Sequence, residues 1–453
     1  MPHANTKISG TMRILSHYIS SAVNEDIPPE VTEKGKHHFL DTLAAMVSGS
    51  RLGPGKAATR YTALQGGRKE ACVAGSTILT TAVDAALANG MLAHADETDD
   101  SHKDSRCHPG CGVIPAALAM SEKEGRSGEA LLRAVVLGYD VCCRIPPALG
   151  VDSFYEAGHS THSFAPLFGA AAAAGALAGL GEKQIPWLIS YTAQQASGVN
   201  CWQRDENHME KAFDFGGMPA RNGVAAAAMV AAGFTGVADV FSGPRNFFFT
   251  YSTDPKPELL TEGLGERFEI MDTNIKKWSV GSPIQAALDS LEILIRDNTL
   301  KPDQINRISV RMSDRESHVV DDRSMPDINL QHLLAVLTVD GNLTFSSSHD
   351  VERMKDPAVV EVRSKVALIP DPGLARRRPI VEVTTIGGLT VSHAMLAVRG
   401  TPENSMPREE VEKKAIDLID PVLGASRSRE LADTVWALER VRDLREIRRL
   451  WMA

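Results

Sequence analysis

The spacing of hydrophobic positions predicts that the first part of the chain is helical. Apolar residues recur at helical intervals between residues 31 and 232, and many of these segments carry a face of small residues. Alanine has the highest helix propensity and lets neighbouring backbones approach closely, so such segments suit packed helices. The predicted helices span residues 31–48, 81–92, 112–124, 128–144, 164–180 and 223–232.

The pattern becomes mixed near residue 270. Short runs rich in β-branched residues follow, and two of them flank the Gly387-Gly388 pair, which predicts a β-hairpin. Helical spacing persists between the strands, so this region is predicted to be a smaller α+β domain. The predicted strands span residues 305–312, 343–347, 365–369, 380–385 and 389–393, and the predicted helices span 284–296 and 330–339.

Helical periodicity returns after Gly400-Thr401-Pro402, at residues 408–419 and 428–451. These last helices are expected to pack back on the helical domain, which makes the α+β region an inserted lid. A cleft between the two domains is then the expected position of an active site. The predicted fold is mainly α, with a helical domain at residues 1–268, an α+β lid domain at 269–397 and C-terminal helices at 398–453.

Composition and charge narrow the function. The chain has 453 residues and a formal net charge of -9, which argues against nucleic acid as the main partner. Residues 1–10 are polar and contain no apolar signal segment, which predicts a cytoplasmic protein. Residues 164–181 carry no charge, but they are weakly apolar and lack basic or aromatic flanks, so we predict a buried helix and no membrane span.

Residues 94–108 are the strongest candidate for a site. His94, His102 and His108 lie here among the four carboxylates of residues 96–100. Imidazole titrates near neutral pH and carboxylates orient it or tune its pKa, so the pattern indicates proton transfer. Two alternatives remain open: the acids cap and solvate a helix junction, or His94 is a hydrogen-bonded core residue.

The same segment also contains residue types that bind metals. His102, Cys107, His108 and Cys111 lack the paired spacing of structural zinc sites, so no metal is predicted. The six cysteines show no disulfide-framework spacing and are predicted to be reduced packing residues. The chain has no dinucleotide-binding or phosphate-loop fingerprint.

Short motifs are spread over nearly the whole chain. They are Phe39-Leu40-Asp41-Thr42-Leu43, Asn89-Gly90 with His94-Ala95, His108-Pro109-Gly110, Ile114-Pro115-Ala116-Ala117-Leu118-Ala119, Gly138-Tyr139-Asp140-Val141, Phe168-Gly169, Gln195-Ala196-Ser197-Gly198, Arg221-Asn222-Gly223 and Gly233-Phe234-Thr235-Gly236. Together they resemble the MmgE/PrpD family, which includes 2-methylcitrate dehydratase, cis-aconitate decarboxylase and iminodisuccinate epimerase.

The resemblance implies a large helical domain with a smaller α+β lid, a homodimer, and chemistry without a metal or organic cofactor. It also implies a small di- or tricarboxylate substrate and a proton transfer at the carbon next to a carboxylate. Loss of hydroxide, loss of carbon dioxide or reprotonation on the other face then decides the product. No nucleic acid or membrane partner is expected.

This chemistry needs a base and cationic groups that hold the substrate carboxylates. The resemblance places pocket lysines at Lys211 and Lys276, with the adjacent Lys277 as an alternative to Lys276. The catalytic candidates are Glu97, His108, one of His159 and His162, Lys211, Lys276 and His332. The candidates for substrate binding are Ser101, His102, Gln203, Arg221 and Lys277.

Three departures from the family pattern affect the choice of reaction. Glu97 stands where many members have Asp, the family histidine would fall on Ser160, and His332 replaces a tyrosine. The last change lowers the reference pKa by about 3.5 units. A hydro-lyase similar to 2-methylcitrate dehydratase is the leading interpretation. An epimerase, a decarboxylase and a non-catalytic polycarboxylate-binding protein remain alternatives.

Overall fold

The computed structural model describes residues 8–453, which form two compact units. The first unit contains the chain up to Asn274 together with Val411–Ala453, and the second unit is Ile275–Glu410. The structure thus places the two boundaries after residues 274 and 410, where the sequence analysis placed them after residues 268 and 397. The fold is mainly α, with its longer strands confined to the second unit.

The first unit is built from helices. Two short pairs of strands and the turns between elements connect them. The helices are α1 (Gly10–Ser21), α2 (Pro29–Gly49), α3 (Gly53–Gln65), α4 (Ala82–Ala93), α5 (Pro109–Glu124), α6 (Gly128–Leu149), α7 (Val151–Glu156), α8 (Thr161–Leu177), α9 (Ile185–Gln194), α10 (Met209–Ala212), α11 (Met218–Ala231), α12 (Phe247–Tyr251), α18 (Arg408–Leu423) and α19 (Ala425–Trp436). The strands β1 (Ala71–Cys72) and β2 (Leu79–Thr80) form one antiparallel pair, and β3 (Ser101–His102) and β4 (Thr273–Asn274) form another.

Helix α8 lies at the centre of the first unit. It packs against α5, α6 and α11, and every side chain from Phe164 to Leu177 is buried. A Cβ added to Gly169 would lie 2.4 Å from the backbone oxygen of Gly138, so α6 and α8 meet backbone to backbone. Within residues 8–453 no helix is long and apolar enough to cross a membrane.

The C-terminal segment is anchored in the first unit by polar contacts. Lys414 of α18 lies 2.6 Å from the carboxylate of Asp41 and donates to the carbonyl of Thr98 at 3.0 Å. The indole of Trp451 is fully buried and donates to the sulfur of Cys72 at 3.0 Å. The hydrogen bond from Lys414 to Thr98 holds the loop that carries the candidate site.

The predicted helix over residues 428–451 is wrong beyond Trp436, where α19 ends. Single 3-10 turns follow, and they bury Leu438, Leu444 and Leu450. Six residues of an α-helix rotate by about 600°, so one continuous helix cannot turn three leucines spaced in this way toward one surface. Separate turns can.

The second unit combines a mixed sheet with helices on it. The strand order is β6-β5-β7-β8, with β6 parallel to β5 and the other neighbours antiparallel. The β7–β8 hairpin turns at Gly387-Gly388, as predicted. The elements are α13 (Gln285–Asn298), β5 (Ile305–Ser313), α14 (Asp314–Val320), α15 (Leu330–Asp340), α16 (Phe345–His349), α17 (Pro357–Arg363), β6 (Val366–Asp371), β7 (Ile380–Thr385) and β8 (Thr390–Ala394).

The predicted strand at residues 343–347 is wrong, because Phe345–His349 forms helix α16. The hydroxyl of Thr344 accepts from the backbone N–H of Ser347 at 3.1 Å and caps the helix. The capping residue thus decides that this segment is helical. The apolar content of so short a segment does not by itself distinguish a strand from a helix.

Burial of Glu122 makes the stability of the first unit depend on pH. Its carboxyl group accepts from the backbone N–H of Cys72 at 3.1 Å, and burial raises its pKa to about 7. The unfolded chain releases this proton near pH 4, so the free energy of unfolding falls as pH rises from 4 to 7.

We therefore predict that Glu122→Gln removes part of this pH dependence. The variant should gain stability relative to the parent protein between pH 5 and pH 8, by up to about 3 kcal/mol. Urea denaturation at the two pH values measures the gain. Glu124→Gln on the same helix is the control and should follow the parent protein. Parallel stability curves for Glu122→Gln and the parent would contradict the assignment.

Candidate active site

The loop between α4 and α5 carries a dense set of buried acids. Asp96, Glu97, Asp99 and Asp100 are each at most 8% exposed. Asp96 shapes the loop locally, since its carboxylate accepts from the backbone N–H of Thr98 at 2.9 Å and from its hydroxyl at 2.7 Å. Buried carboxylates are costly unless they are paired, so the partners of the other three acids define what each one does.

Asp100 has a structural role. It accepts from the hydroxyl of Tyr139 at 2.5 Å, from Nδ1 of His38 at 2.8 Å and from the backbone N–H of Gly110 at 2.9 Å. Burial lowers the pKa of His38 to about 4, so this imidazole is neutral at pH 7. These three donors tie the loop to α2, α5 and α6.

Asp99 orients two imidazoles at once. Its carboxylate accepts from Nδ1 of His94 at 2.9 Å and from Nδ1 of His108 at 3.1 Å. Burial opposes the charge on Asp99, but the two imidazoles outweigh it and hold the pKa of this carboxyl well below its usual range. Because the carboxylate can only accept, Nδ1 carries the proton in both rings and Nε2 is left for other partners.

The ring of Phe215 brings the histidines together. It stacks on His162 with ring centres 3.9 Å apart and on His94 at 4.4 Å, and Trp202 meets it edge-on at 4.7 Å. His108 lies 5.5 Å from the same ring. We call this group, together with His208 at 5.2 Å from His94, the histidine cluster.

Lys211 and Glu97 form an ion pair at the edge of the histidine cluster. The ammonium of Lys211 contacts the carboxylate of Glu97, and the two side chains are 19% and 11% exposed. The same ammonium lies 5.3 Å from the ring centre of Phe215 and 5.5 Å from that of Trp202. A partly desolvated ion pair next to neutral rings is an arrangement in which charge acts strongly on a bound ligand.

Several polar atoms of the histidine cluster have no hydrogen-bond partner among residues 8–453. They are Nε2 of His94, Nδ1 of His162, Nε2 of His208 and Nε1 of Trp202, and all four are buried. Burial lowers the pKa of His208 to about 3 and that of His162 well below its usual value, so these rings are neutral. Buried unpaired nitrogens are rare in folded proteins, and a polar ligand or water would satisfy them.

A short π-helix at Phe213–Gly217 contains Phe215 and directly follows α10, which carries Lys211. Single π-turns inside α-helices are often found at functional sites. The turn packs tightly on α4, because a Cβ added to Gly90 would lie 2.3 Å from the backbone oxygen of Gly216. The backbone contact between these two glycines therefore fixes the π-helix against α4, the helix that leads into the acidic loop.

Asp214 is a further buried acid that the sequence analysis did not identify. Its carboxyl group accepts from the hydroxyl of Ser160, and burial raises its pKa to about 7. Ser160 is the position on which the family histidine would fall. The structure thus places a serine–aspartate contact there and brings His162 to the histidine cluster instead.

The structure brings four of the predicted residues together and leaves others apart. Glu97, His108, His162 and Lys211 belong to the site just described. His159 instead stacks on Phe154 with ring centres 4.7 Å apart.

The predicted substrate-binding residues of the first unit make structural contacts. His102 contacts Ser105 at 2.8 Å and Glu269 at 3.5 Å, and Ser101 pairs with Asn274 between β3 and β4. Gln203 donates to Tyr155 at 2.7 Å, and Arg221 donates to Asn222 at 3.0 Å. Their roles in binding stay predictions.

The remaining candidates belong to the second unit. Lys277 pairs with Glu292 and lies 4.3 Å from the ring centre of Trp278. Lys276 is 4% exposed. His332 is fully buried, neither ring nitrogen has a hydrogen-bond partner within residues 8–453, and burial lowers its pKa to about 4. Roles for these residues in the reaction stay predictions.

His208, Asp214 and Phe215 are the site residues that sequence reasoning missed. His208 lies three residues before Lys211. Residues three apart are neighbours on a helix, so this spacing was the sequence signal that His208 lies beside Lys211. Asp214 and Phe215 gave none, since their positions depend on the π-helix.

The fold and the site define a mainly α protein with a small sheet unit and a buried acid–base cluster. Residues 13–260 match the model of the MmgE/PrpD N-terminal domain, and residues 278–440 match that of the MmgE/PrpD C-terminal domain. The chain therefore belongs to the MmgE/PrpD family, which confirms the resemblance and the fold class predicted from the sequence.

The chain is similar along most of its length to fungal proteins. It is 24% identical to the cis-aconitate decarboxylase-like protein oryM of Aspergillus oryzae, over 96% of this chain and 95% of that protein. Two cis-aconitate decarboxylases of Aspergillus terreus are 25% and 26% identical, each over 96% of this chain and 94% of the relative.

We predict that Gly90→Ala strongly destabilises the first unit. Its Cβ would overlap the backbone of Gly216, which cannot rotate away as a side chain can. The expected loss in the free energy of unfolding is about 3 kcal/mol or more, measured by urea denaturation. Gly53→Ala in α3 is the control, because a Cβ there meets no atom within 4 Å. Equal stability of the two variants would disprove the close contact.

Proposed function

We propose that this protein is a cofactor-independent lyase that acts on a small di- or tricarboxylate by proton transfer at the carbon next to a carboxylate. A hydro-lyase reaction similar to that of 2-methylcitrate dehydratase is the leading version. The observation that carries the proposal is the Lys211–Glu97 ion pair beside a group of rings, four of whose buried nitrogens have no hydrogen-bond partner within residues 8–453. The ammonium of Lys211 and the indole N–H of Trp202 suit substrate carboxylates, and the carboxylate of Glu97 suits a base.

Substrate binding would activate Glu97. A substrate carboxylate that takes over the ammonium of Lys211 separates this cation from the buried carboxylate of Glu97. The carboxylate of Glu97 can then act as the base. It then removes the proton from the carbon next to the substrate carboxylate, and the electron pair moves onto that carboxylate, where Lys211 stabilises the charge.

His108 is suited to deliver the proton that completes the elimination. Its Nδ1 donates to Asp99 at 3.1 Å, so a second proton on Nε2 would face outward from this contact. The carboxylate of Asp99 holds the ring in this orientation, as in other His–Asp pairs. When the electron pair returns to form the alkene, the carbon–oxygen bond breaks and Nε2 protonates the departing hydroxide to give water.

Decarboxylation is the second candidate, because the similar Aspergillus proteins are named as cis-aconitate decarboxylases or decarboxylase-like. In that reaction a carbon–carbon bond breaks, carbon dioxide leaves, and an acid of the site protonates the carbon that keeps the electron pair. Glu97 and His332 depart from the family pattern, which argues against assigning the substrate named for these relatives, cis-aconitate, to this chain. Homodimer formation also stays a proposal.

Incubation of the protein in deuterium oxide with a panel of polycarboxylates, followed by NMR, tests the reaction. The panel contains 2-methylcitrate, citrate, cis-aconitate and iminodisuccinate. Alkene formation or its reverse supports the hydro-lyase, and loss of carbon dioxide supports the second candidate. Deuterium exchange without net product indicates an epimerase. No exchange and no product with the whole panel would count against an enzyme and favour a polycarboxylate-binding protein.

We predict that Glu97→Gln lowers kcat with the reactive substrate by about 10²- to 10⁴-fold, because the base is lost. Lys211→Met should both raise KM and lower kcat, because the ammonium binds the substrate carboxylate and stabilises the developing charge of the transition state more strongly still. Steady-state kinetics measure both effects. Glu206→Gln, at an exposed position of the same region, is the matched control and should retain full activity. Full activity in Glu97→Gln would disprove the assignment of the base.

A further inference from the structure

His94, Glu97 and His208 form a second binding arrangement, of which the proposed reaction uses only Glu97. One ligand atom from each of His94, Glu97 and His208 lies within 4.8 Å of the other two. All three residues are buried, at 0%, 8% and 8% exposure. Two imidazoles and one carboxylate are the ligand set of a catalytic type of zinc site, in which the fourth position stays open.

The two imidazoles offer the nitrogens that such an ion needs. Nε2 of His94 and Nε2 of His208 are buried and have no hydrogen-bond partner within residues 8–453. The other nitrogen of His94 donates to Asp99 at 2.9 Å. A carboxylate behind a histidine in this way fixes the ring orientation and is a regular feature of metal sites.

The backbone of His208 supports a specific role for its side chain. His208 adopts a left-handed conformation with φ of 59°, directly before α10. This region is unfavourable for residues other than glycine, and strain of this kind is concentrated at functional positions. The conformation places the imidazole against His94, with ring centres 5.2 Å apart.

We propose that His94, Glu97 and His208 bind a divalent transition-metal ion, with Zn²⁺ as the best fit. Imidazole and carboxylate ligands suit Zn²⁺. Ligand atoms around a tetrahedral Zn²⁺ are separated by about 3.4 Å, so atoms that lie within 4.8 Å of one another need to approach by at most about 1.4 Å on binding. The ion competes with the ammonium of Lys211 for Glu97, and it therefore blocks the proposed reaction instead of assisting it.

Opposite effects of two substitutions identify this site. His208→Gln removes a ligand and should weaken Zn²⁺ binding about 100-fold or more. Lys211→Met removes the competing cation and should tighten binding about tenfold or more, because a unit charge this close strongly opposes a second cation. Isothermal titration with Zn²⁺ measures both, and the visible absorption of bound Co²⁺ reports whether histidines and a carboxylate surround the ion.

Two control variants locate the ion. His17→Gln removes an imidazole at the surface, where the His17 side chain is 70% exposed, and should leave binding unchanged. Cys142→Ser disrupts the buried group of Cys107, Cys142 and Cys143, a second cluster of metal-ligand type that lies outside the site. Binding that survives Cys142→Ser and is weakened by His208→Gln supports the proposal.

Three results would overturn the proposal: no Zn²⁺ binding at micromolar concentration, binding that is lost only in Cys142→Ser, or weaker binding in Lys211→Met. If His208→Gln does not fold, the Zn²⁺ affinity of Lys211→Met still tests the proposal. The binding measurements are independent of catalysis. The expected inhibition by Zn²⁺ rests on the proposed function, so a protein that binds the ion and lacks polycarboxylate activity refutes only that function.

Discussion

The buried carboxylate of Asp99 is the interaction on which the site depends. It stands between the Nδ1 atoms of His94 and His108, at 2.9 and 3.1 Å. Without it, two imidazoles inside a helical core would have neither a fixed tautomer nor a fixed orientation. A buried charge of this kind is stable only when it is fully paired, so the histidines stabilise Asp99 as much as Asp99 orients them.

The helical framework supplies the precision that this arrangement needs. Asp100 ties the acidic loop to three helices through Tyr139, His38 and Gly110, and Lys414 binds the same loop from the C-terminal segment. Rigid surroundings of this sort let a site retain nitrogens with no partner of their own. These nitrogens lower the free energy of unfolding, and the well-packed core offsets that loss. A ligand that forms hydrogen bonds with them would stabilise the folded protein.

Helix positions and the family could be predicted from the sequence, whereas the exact site could not. Periodicity located strand β7 at residues 380–385 and helix α15 from residue 330, because long amphipathic or β-branched runs have one favourable structure. Short runs failed where capping decided, as in α16. His162 and His159 are equivalent in sequence terms, and only the ring of Phe215 distinguishes them.

The π-helix links the histidine cluster to the contact between Asp214 and Ser160. A π-turn adds one residue to a helical turn, and at Phe213–Gly217 it directs Phe215 into the histidine cluster and Asp214 toward Ser160. Stacking on Phe215 then favours an imidazole at position 162, and the acid at position 214 occupies the space beside residue 160. The serine at position 160 and the histidine at position 162 thus depend on the same π-turn, the first through Asp214 and the second through Phe215.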